Sequence, residues 1–459
     1  MRVVMLTDDV QIDRRILLEA ETLHRLGHEL ILLAENGGAS EPFEQIGNVK
    51  VERVRYPDVP PGGVYLLRAS TLFSAAMSRT SGCIVHLCGL LTRGFAYAFS
   101  PLSRFCTGFF GALARLSVVF FSAVIRLNQA TTAFVLRGIQ HWARLSLLEE
   151  TIVKRVLFYN PDVIHVHDLP RLRAGAKAKR RLQVPLVYDA HELYPEIATL
   201  TPADQKKLAA RERRFIRDAD VVITVNKYIA AEMAKRYRVA TPDVIRNATD
   251  WPHGLLWNRP WNLFRERFEI PQEHQIILFQ GWMSAQRGLQ PLVRAMTALP
   301  EHLHLVFMGY GEGRIELEAI VAEQSLDGRV HFMDAVPQEE LLGWTRSADA
   351  GIIPYQPIDL NNYYCSPNKL FEFIQAELPI VANDLPFLRD VVGQDGFGIV
   401  HRLETVEDYA TAIGLMFDGN RRQTFRDNLR VKKLEYSWSI EERKLVALYQ
   451  ALRSRQSCS

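Results

Sequence analysis

The sequence predicts an α/β protein of two doubly wound parallel sheets that face a common cleft. Two observations carry this prediction. Short apolar runs alternate with amphipathic helical segments over residues 2–33 and 162–237, and a second series of the same kind covers residues 275–382. This alternation is typical of parallel sheets covered by helices. A chain of 459 residues is long enough for two such sheets.

The first half opens with a strand–helix–strand unit. The apolar run Arg2–Thr7 predicts a buried strand, Asp13–Leu26 has apolar residues at helical spacing, and His28–Leu33 predicts the next strand after Gly27. Beyond residue 148 the pattern predicts strands at 162–166, 185–189 and 220–225, and helices at 172–181, 203–217 and 228–237. We assign residues 1–250 to a first domain.

A stretch that carries Trp and Pro, residues 251–261, precedes the second series. This series predicts strands at 275–279, 304–308, 330–332, 350–353 and 379–382. The helices predicted between and after these strands cover 289–299, 314–324, 339–347 and 369–376. We assign residues 251–435 to a second domain.

The net charge of +3 conceals a strongly basic window at residues 59–148. This window contains eight Arg and no Asp, Glu or Lys, so the rest of the chain sums to 3 − 8 = −5. It also contains twelve aromatic residues. Residues eleven apart on a helix point within about 20° of one another. Five arginines have this spacing: Arg93, Arg104, Arg115, Arg126 and Arg137.

We interpret the basic window as a helical insert that contacts an anionic membrane surface, with aromatic groups in the interface and Arg at the headgroups. A transmembrane helix at 105–125 is disfavoured, because a central Arg115 costs about 2.5–3.5 kcal/mol. The lack of Lys disfavours nucleic acid. The alternative is a set of ordinary core helices whose arginines face water.

Polar residues follow several predicted strands, where ligands of such sheets bind. The loop at 163–175 contains His165, His167 and Asp168, and the loop at 187–196 contains His191 and Glu192. These histidines either contact a hydroxylated substrate or are buried and satisfied by the backbone. A metal site at His167, Asp168 and His191 has no fixed ligand count, so we predict no metal.

Two further loops suggest a nucleotide site. The glycine loop at 307–314 lacks the GxGxxG spacing and the P-loop lysine, which argues against hydride transfer and ATP hydrolysis. Lys369 begins a helix after Ser366, Pro367 and Asn368, and this arrangement favours an anion. Glu372 lies one turn further on, where it could hold a ribose. The alternative is an exposed Lys–Glu helix pair.

Several segments in this order resemble glycosyltransferase family 4. They are VYDAHELYPE (187–196), ADVVITVNKYIA (219–230), VIRNATD (244–250), QGWMSAQRGL (280–289), FMGYGEG (307–313) and SPNKLFEFIQAELPIVANDLP (366–386). The resemblance runs through residues 1–58 and 150–450. It implies a GT-B fold of two Rossmann-like domains. It also implies a retaining, metal-independent transferase without a cofactor, and a terminal helix at 436–459 that crosses back to the first domain.

The resemblance also implies roles for individual residues. Arg287 and Lys369 match the family's cations at the donor diphosphate. Glu372 matches the acid that binds the ribose, and His191 matches the histidine that contacts the transferred sugar. These four form the expected catalytic set. The expected donor-binding set is Gly281, Gly309, Tyr310, Gly311, Ser366, Asn368, Lys369 and Glu372. On the acceptor side we expect Asp13, Arg14, His167, Asp168 and Glu192.

Four departures separate this chain from the family pattern. Tyr364 occupies the position of a first glutamate, Glu377 that of a glycine before proline, and Trp282 that of an arginine. The loop at 7–15 lacks the usual glycine pair. These changes leave open a difference on the acceptor side or a loss of activity.

The predicted function is transfer of a sugar from a nucleotide-sugar to a lipid-linked or polysaccharide acceptor. The alternatives are a nucleotide-sugar epimerase of related fold and a non-catalytic partner protein. Five cysteines without framework spacing, and Asp8 and Asp9 where a signal peptide would be apolar, predict a cytoplasmic protein at the inner membrane face.

The membrane hypothesis predicts that changing Arg104, Arg115 and Arg126 to Glu releases the protein from anionic vesicles, because the headgroup attraction becomes repulsion. Nucleotide binding should be retained, which serves as the control for folding. Co-sedimentation with vesicles measures the effect. Unchanged sedimentation of the triple variant would contradict the hypothesis.

Overall fold

The computed structural model describes residues 1–38, 41–55, 147–251 and 261–457. Met1–Arg53 and Arg155–Ser459 form one compact unit, and Val54–Lys154 form another. The arginines predicted to contact a membrane lie outside the described residues: Arg93, Arg104, Arg115 and Arg126. Within the described ranges, no helix combines the length and apolar character needed to span a bilayer.

The first sheet has eight strands in the order β3-β4-β2-β1-β5-β6-β7-β8. β1 pairs in parallel with both β2 and β5, and β3–β4 is an antiparallel pair at the edge. The strands are Arg2–Leu6 (β1), Glu29–Glu35 (β2), Phe43–Ile46 (β3), Val49–Val54 (β4), Val163–His167 (β5), Leu186–Ala190 (β6), Val221–Thr224 (β7) and Asp243–Val244 (β8).

The second sheet has six strands in the order β11-β10-β9-β12-β13-β14, which is the order of a doubly wound dinucleotide-binding sheet. All five pairs of neighbouring strands in this sheet are parallel. The strands are Gln275–Gln280 (β9), Leu303–Met308 (β10), Val330–Met333 (β11), Ala350–Ile353 (β12), Ile380–Asn383 (β13) and Gly398–His401 (β14). The prediction of two doubly wound α/β domains is confirmed.

The helices cover both faces of these sheets. In the first domain they are Arg14–Arg25, 147–159, Asp168–Leu182, Pro202–Phe215 and Lys227–Tyr237. The second domain contains Leu263–Phe268, Leu289–Ala295, Arg314–Glu323, Leu341–Arg346, Leu360–Tyr363, Asn368–Gln375, Pro386–Leu388, Val406–Phe417 and Arg421–Lys432. The last helix is Trp438–Ser457. Short 3-10 or π turns cover Tyr194–Glu196, Ile216–Asp218, Ala285–Arg287, Met296–Ala298, Arg389–Gln394 and Lys433–Tyr436.

Each face of the second sheet has its own apolar core. Ile276 and Leu278 of β9 belong to one buried cluster, whereas Ile277 and Phe279 belong to the cluster on the opposite face. Successive side chains of a strand point to opposite faces, so both sides of β9 are buried. This double burial explains why the strand is a continuous apolar run.

The terminal helix Trp438–Ser457 packs on the first domain. Trp438 and Tyr449 are buried in the apolar core of the first sheet, and Trp438 Nε1 donates to Thr22 Oγ1 at 3.0 Å. The first helix, Arg14–Arg25, is therefore covered by the last helix of the chain.

Three histidines form a hydrogen-bonded chain near the N-terminal ends of β9, β10 and β11. The rings are linked from His274 Nδ1 to His304 Nε2 at 2.8 Å, and from His304 Nδ1 to His331 Nε2 at 3.0 Å. Burial lowers the pKa of both His304 and His331 to about 4, and neighbouring histidine charge adds to this effect at His304.

These pKa values predict acid sensitivity of the second domain. Between about pH 6.5 and pH 4 the unfolded chain binds more protons than the native one, so the free energy of unfolding decreases as the pH falls. Denaturant unfolding at several pH values measures this decrease. His304→Leu should make the acid-induced decrease in unfolding free energy smaller. His302→Leu, at an exposed position, should leave this decrease unchanged. An equal acid-induced loss in both variants would contradict the assignment.

Candidate functional site

The candidate site lies where the strand order of each sheet reverses. In the first sheet this point is between β1 and β5, and in the second it is between β9 and β12. Loops after the carboxyl ends of these strands form the usual ligand crevice of such sheets. His167 ends β5 and Gly281 follows β9, so predicted site residues from both halves lie at these two points.

Two donor-side loops are joined through their backbones. Gly281 N donates to Met308 O at 2.9 Å, and Met283 N donates to Tyr310 O at 2.7 Å. Gly309 has a φ of +149°, and a Cβ there would overlap the carbonyl group of Gly281. The close approach therefore requires glycine at position 309.

Lys369 and Arg287 lie against aromatic rings. The Lys369 ammonium is 3.8 Å from the centre of the Phe279 ring, and the Arg287 guanidinium is 3.6 Å from the centre of the Tyr355 ring. Arg287 Nη1 also donates to Asn362 Oδ1 at 3.2 Å. Burial, and then the charge of Arg287, hold the pKa of Lys369 well below its usual range. Across the described ranges, neither cation has a carboxylate within 4 Å.

Glu372 lies one turn beyond Lys369 and is also buried. Lys369 is 5% exposed and Glu372 is 7% exposed, so the alternative of an exposed helix pair is wrong. Glu372 Oε1 is 3.0 Å from Arg14 Nη1, and its other oxygen accepts a hydrogen bond from Gln280 Nε2. Thr345 Oγ1 donates to Gln280 Oε1 at 2.9 Å and so orients the amide.

The segment 361–372 contacts the first domain at several points. Asn368 Nδ2 donates to Asp13 Oδ2 at 3.3 Å, and Asn361 Nδ2 donates to Glu192 Oε2 at 2.8 Å. Two backbone carbonyls also accept hydrogen bonds from asparagine side chains of the first domain: Ser366 O from Asn247 and Tyr364 O from Asn226. Asp13 and Arg14, predicted on the acceptor side, thus contact the donor-side helix.

His191 is in contact with buried polar groups of the first sheet. Its Nε2 is 3.2 Å from both Asp189 Oδ2 and His167 Nδ1. Its Nδ1 is 3.9 Å from Asp168 Oδ2, and its backbone N donates to Asp168 Oδ1 at 2.9 Å. His167 is fully buried and lies behind His191. His165 is also buried, and its Nδ1 is 3.0 Å from Tyr449 Oη.

Burial and charge shift the pKa values of this group strongly. Burial alone would lower the pKa of His191, but the charges of Asp168 and Asp189 raise it to about 10. Burial raises the pKa of Asp168 to about 8. It also raises the pKa of Glu192. Asp168 has a φ of +57°, an uncommon conformation that is frequent at functional sites.

Arg15 and Glu19 of the first helix also belong to this group, and neither residue was predicted from the sequence. Arg15 is 2% exposed and donates to both oxygens of Asp189, at 2.6 and 2.8 Å, and to Glu19 Oε1 at 2.9 Å. One signal was available: Glu19 lies at helical spacing from the apolar Ile16 and Leu23, on the face that becomes buried.

Four buried side chains offer metal-binding atoms within 4.8 Å of one another: Glu19, His165, His167 and Asp189. The donor set does not fit a cation, because the Arg15 guanidinium already binds both oxygens of Asp189 and one of Glu19. The set considered from the sequence fits no better, since His191 Nε2 already contacts Asp189 and His167, and Asp168 accepts from the backbone N of His191. We assign no metal to either group.

Gly309→Ala should weaken nucleotide binding and destabilise the second domain, because the added methyl group separates the two donor-side loops. We expect a loss of more than about 1 kcal/mol of unfolding free energy. Gly414→Ala is the matched control. Gly414 lies within a helix with no atom near the added methyl group, so this change should stabilise by about 0.5–1 kcal/mol. Denaturant unfolding measures both, and equal effects would contradict the argument.

Comparison with known proteins gives two sequence profiles. Glycosyltransferase Family 4 matches residues 105–250, and Glycosyl transferases group 1 matches residues 274–418. The first match begins inside the basic window, which lies outside the ranges 1–58 and 150–450 of the motif resemblance. A D-inositol 3-phosphate glycosyltransferase of Xylanimonas cellulosilytica is 26% identical over 315 residues, which cover 64% of this chain and 73% of that protein.

Solved structures share the architecture. Sucrose-phosphate synthase from Thermosynechococcus elongatus aligns with a TM-score of 0.69 at 14% identity over 99% of both chains. HepE from Anabaena, solved with UDP and glucose and with UDP-glucose, aligns with TM-scores of 0.65 and 0.64 at 12% and 13% identity, over 98% of this chain and 100% of HepE. These likenesses show the GT-B fold. Together with the profiles, they show that the chain belongs to the GT-B glycosyltransferases of the family 4 type.

Proposed function

We propose that this glycosyltransferase moves a sugar from a nucleotide-sugar to a lipid-linked or polysaccharide acceptor, with retention at the anomeric carbon and without a metal ion. The observation that carries the donor assignment is the pair of basic groups, Lys369 and Arg287; a bound diphosphate would oppose the burial and the Arg287 charge that lower the pKa of Lys369, and so favour its charged form. Both side chains are held against aromatic rings, and no carboxylate of the described chain lies within 4 Å of either. A diphosphate supplies the negative charge that such a pair favours.

The mechanism follows from the charge that develops on the leaving group. When the bond from the sugar to the diphosphate breaks, negative charge accumulates on the departing phosphate oxygens. Lys369 and Arg287 stabilise this charge from fixed positions, which is electrostatic catalysis. These two cations provide the stabilisation that a divalent ion provides in metal-dependent enzymes, and this supports metal independence.

We propose that Glu372 accepts hydrogen bonds from the ribose hydroxyls of the donor. Its carboxylate is fixed by Gln280 and Arg14, so its oxygens are oriented before the nucleotide binds. The position one helical turn beyond Lys369 suits a ribose attached to a diphosphate at that lysine. The HepE complexes with UDP and UDP-glucose are consistent with a nucleotide-sugar donor.

Retention is proposed because His191, and not a carboxylate, matches the residue beside the transferred sugar. Attack from the face that the diphosphate leaves needs no enzyme nucleophile. Glu192 and Asp168 lie next to His191, and their side-chain oxygens can accept hydrogen bonds from the hydroxyl groups of the molecule that receives the sugar.

We further propose that residues 59–148 bring the enzyme to the cytoplasmic membrane face where a lipid-linked acceptor is presented.

Donor binding can be tested by thermal shift with UDP, GDP, ADP and their sugar conjugates in the absence of metal. A ligand at 100 times its Kd stabilises by about 2.7 kcal/mol. Lys369→Met should lower the affinity for the stabilising nucleotide at least about tenfold, because a charged hydrogen bond is lost. Lys432→Met, in the same domain but paired with Asp395, is the matched control. No stabilising nucleotide, or equal loss in both variants, would contradict the donor assignment.

The ribose contact has a separate test. Glu372→Gln should weaken binding of the ribonucleotide about tenfold or more and reduce transfer, because the charged acceptor is replaced by a neutral amide. It should change binding of the 2′,3′-dideoxy analogue little, since this analogue lacks both hydroxyls. Equal losses for the two nucleotides would show that Glu372 acts elsewhere.

A further inference from the structure

Asp189 lies behind His191 in a fixed orientation. The Asp189 carboxylate is fully buried, and Arg15 Nη2 donates to both of its oxygens. The same guanidinium donates from Nε to Glu19 and from Nη1 to Asn247 Oδ1, at 2.9 and 3.1 Å. Hydrogen bonds from three nitrogens of a planar group prevent rotation of Arg15. Asp189 is held with it.

The imidazole of His191 is fixed against this carboxylate from more than one side. Nε2 contacts Asp189 at 3.2 Å, and the backbone N–H of His191 is bound by Asp168. The side chain of His191 is 14% exposed, whereas that of Asp189 is completely buried. His191 is therefore the member of this pair that a substrate can reach.

We propose that Asp189, clamped by Arg15, is the positioning residue that fixes His191 as a hydrogen-bond donor to the sugar of the bound nucleotide-sugar. This inference rests on the proposed function, since it takes the transferred sugar as the partner of His191. Asp189 and Arg15 do not touch the substrate in this arrangement. They act through the histidine.

The charges around His191 determine which form of the ring is present. The titratable and charged groups that face it are Arg15, Glu19, His165, His167, Asp168, Asp189 and Glu192. Burial opposes the charged imidazolium, but the charges of Asp168 and Asp189 outweigh burial and raise the pKa of His191 to about 10. With both nitrogens protonated, Nε2–H donates to Asp189 and Nδ1–H remains for a sugar oxygen.

A purely structural network would not need His191. Asp189 already accepts two hydrogen bonds from Arg15, and burial tends to raise its pKa; the charges of Arg15 and His191 together hold that pKa well below its usual range. The histidine is thus a second cation at a carboxylate that Arg15 already pairs. A role in fixing the ring accounts for this second contact. This role predicts a protonation state of the His191 ring that can be measured without an activity assay.

The first experiment uses the full-length protein labelled with ¹⁵N in its histidine rings. The signals of His191 are identified by their loss in His191→Gln. Between pH 5.5 and 9 we expect both ring nitrogens of His191 to stay protonated. A His191 that becomes neutral between pH 6 and 7.5 overturns the proposal. This experiment does not depend on the folding of a variant that lacks Asp189.

Two matched variants then distinguish the effect of Asp189 on the pKa of His191 from the effect of the rest of the network. Asp189→Asn and Glu19→Gln each replace a buried carboxylate bound to Arg15 by its amide. We expect the pKa of His191 to fall in Asp189→Asn, although the charge of Asp168 still raises it there, and to stay high in Glu19→Gln. Equal shifts in both variants would overturn the specific role of Asp189.

The rate of transfer provides a second readout. In Asp189→Asn, kcat should fall as the pH rises through the lowered pKa of His191 and the ring loses its proton, and it should recover at low pH. KM for the donor should change little. A flat profile in Asp189→Asn overturns the inference. If transfer occurs but His191 titrates normally, this inference fails alone. If no donor is used, the proposed function fails and the sugar contact of His191 fails with it, whereas the ring titration still shows whether Asp189 sets the protonation of His191.

Discussion

The contact between the beginnings of two helices connects the halves of this enzyme. Asp13 caps the first helix by accepting from Arg15 N, and its other carboxylate oxygen accepts from Asn368. Arg14, the next residue, pairs with Glu372. Two consecutive residues of the first domain therefore bind the start of the helix that carries the proposed donor contacts. Any movement between the two sheets must change these bonds, so the position of Glu372 depends on the first domain.

The two halves of the site handle positive charge in opposite ways. In the first domain, Arg15 is surrounded by the carboxylates of Asp189 and Glu19. In the second, Lys369 and Arg287 are placed against aromatic rings instead. A cation paired with buried carboxylates has little remaining attraction for an anionic ligand, whereas a cation at an aromatic face retains it. The difference favours the second domain as the place of the proposed anion site.

The sequence predicted those parts of the molecule that follow from periodicity and from the rule that ligands meet the carboxyl ends of parallel strands. Apolar runs such as 275–279 could be recognised because both faces of β9 are buried. The strand Phe43–Ile46 was missed because its side chains are exposed or half-buried and show no apolar run. Arg15 was missed for a different reason: its partner Asp189 is 174 residues away, and only the fold brings them together.

The buried charges of the first domain are not explained by stability. Removing charged groups from water is unfavourable, and apolar residues of similar volume often stabilise a core as well as a buried ion pair does. The network of Arg15, Glu19 and Asp189 extends, through Asp189, to the partly exposed ring of His191. Arg14, one residue before Arg15, reaches Glu372. Adjacent residues of one helical turn thus contact the proposed ribose acid and the carboxylate behind the proposed sugar-binding histidine. A rigid first turn of this helix sets the distance between Glu372 and Asp189. Charged hydrogen bonds are directional, so they fix the orientation of that turn more closely than apolar packing would.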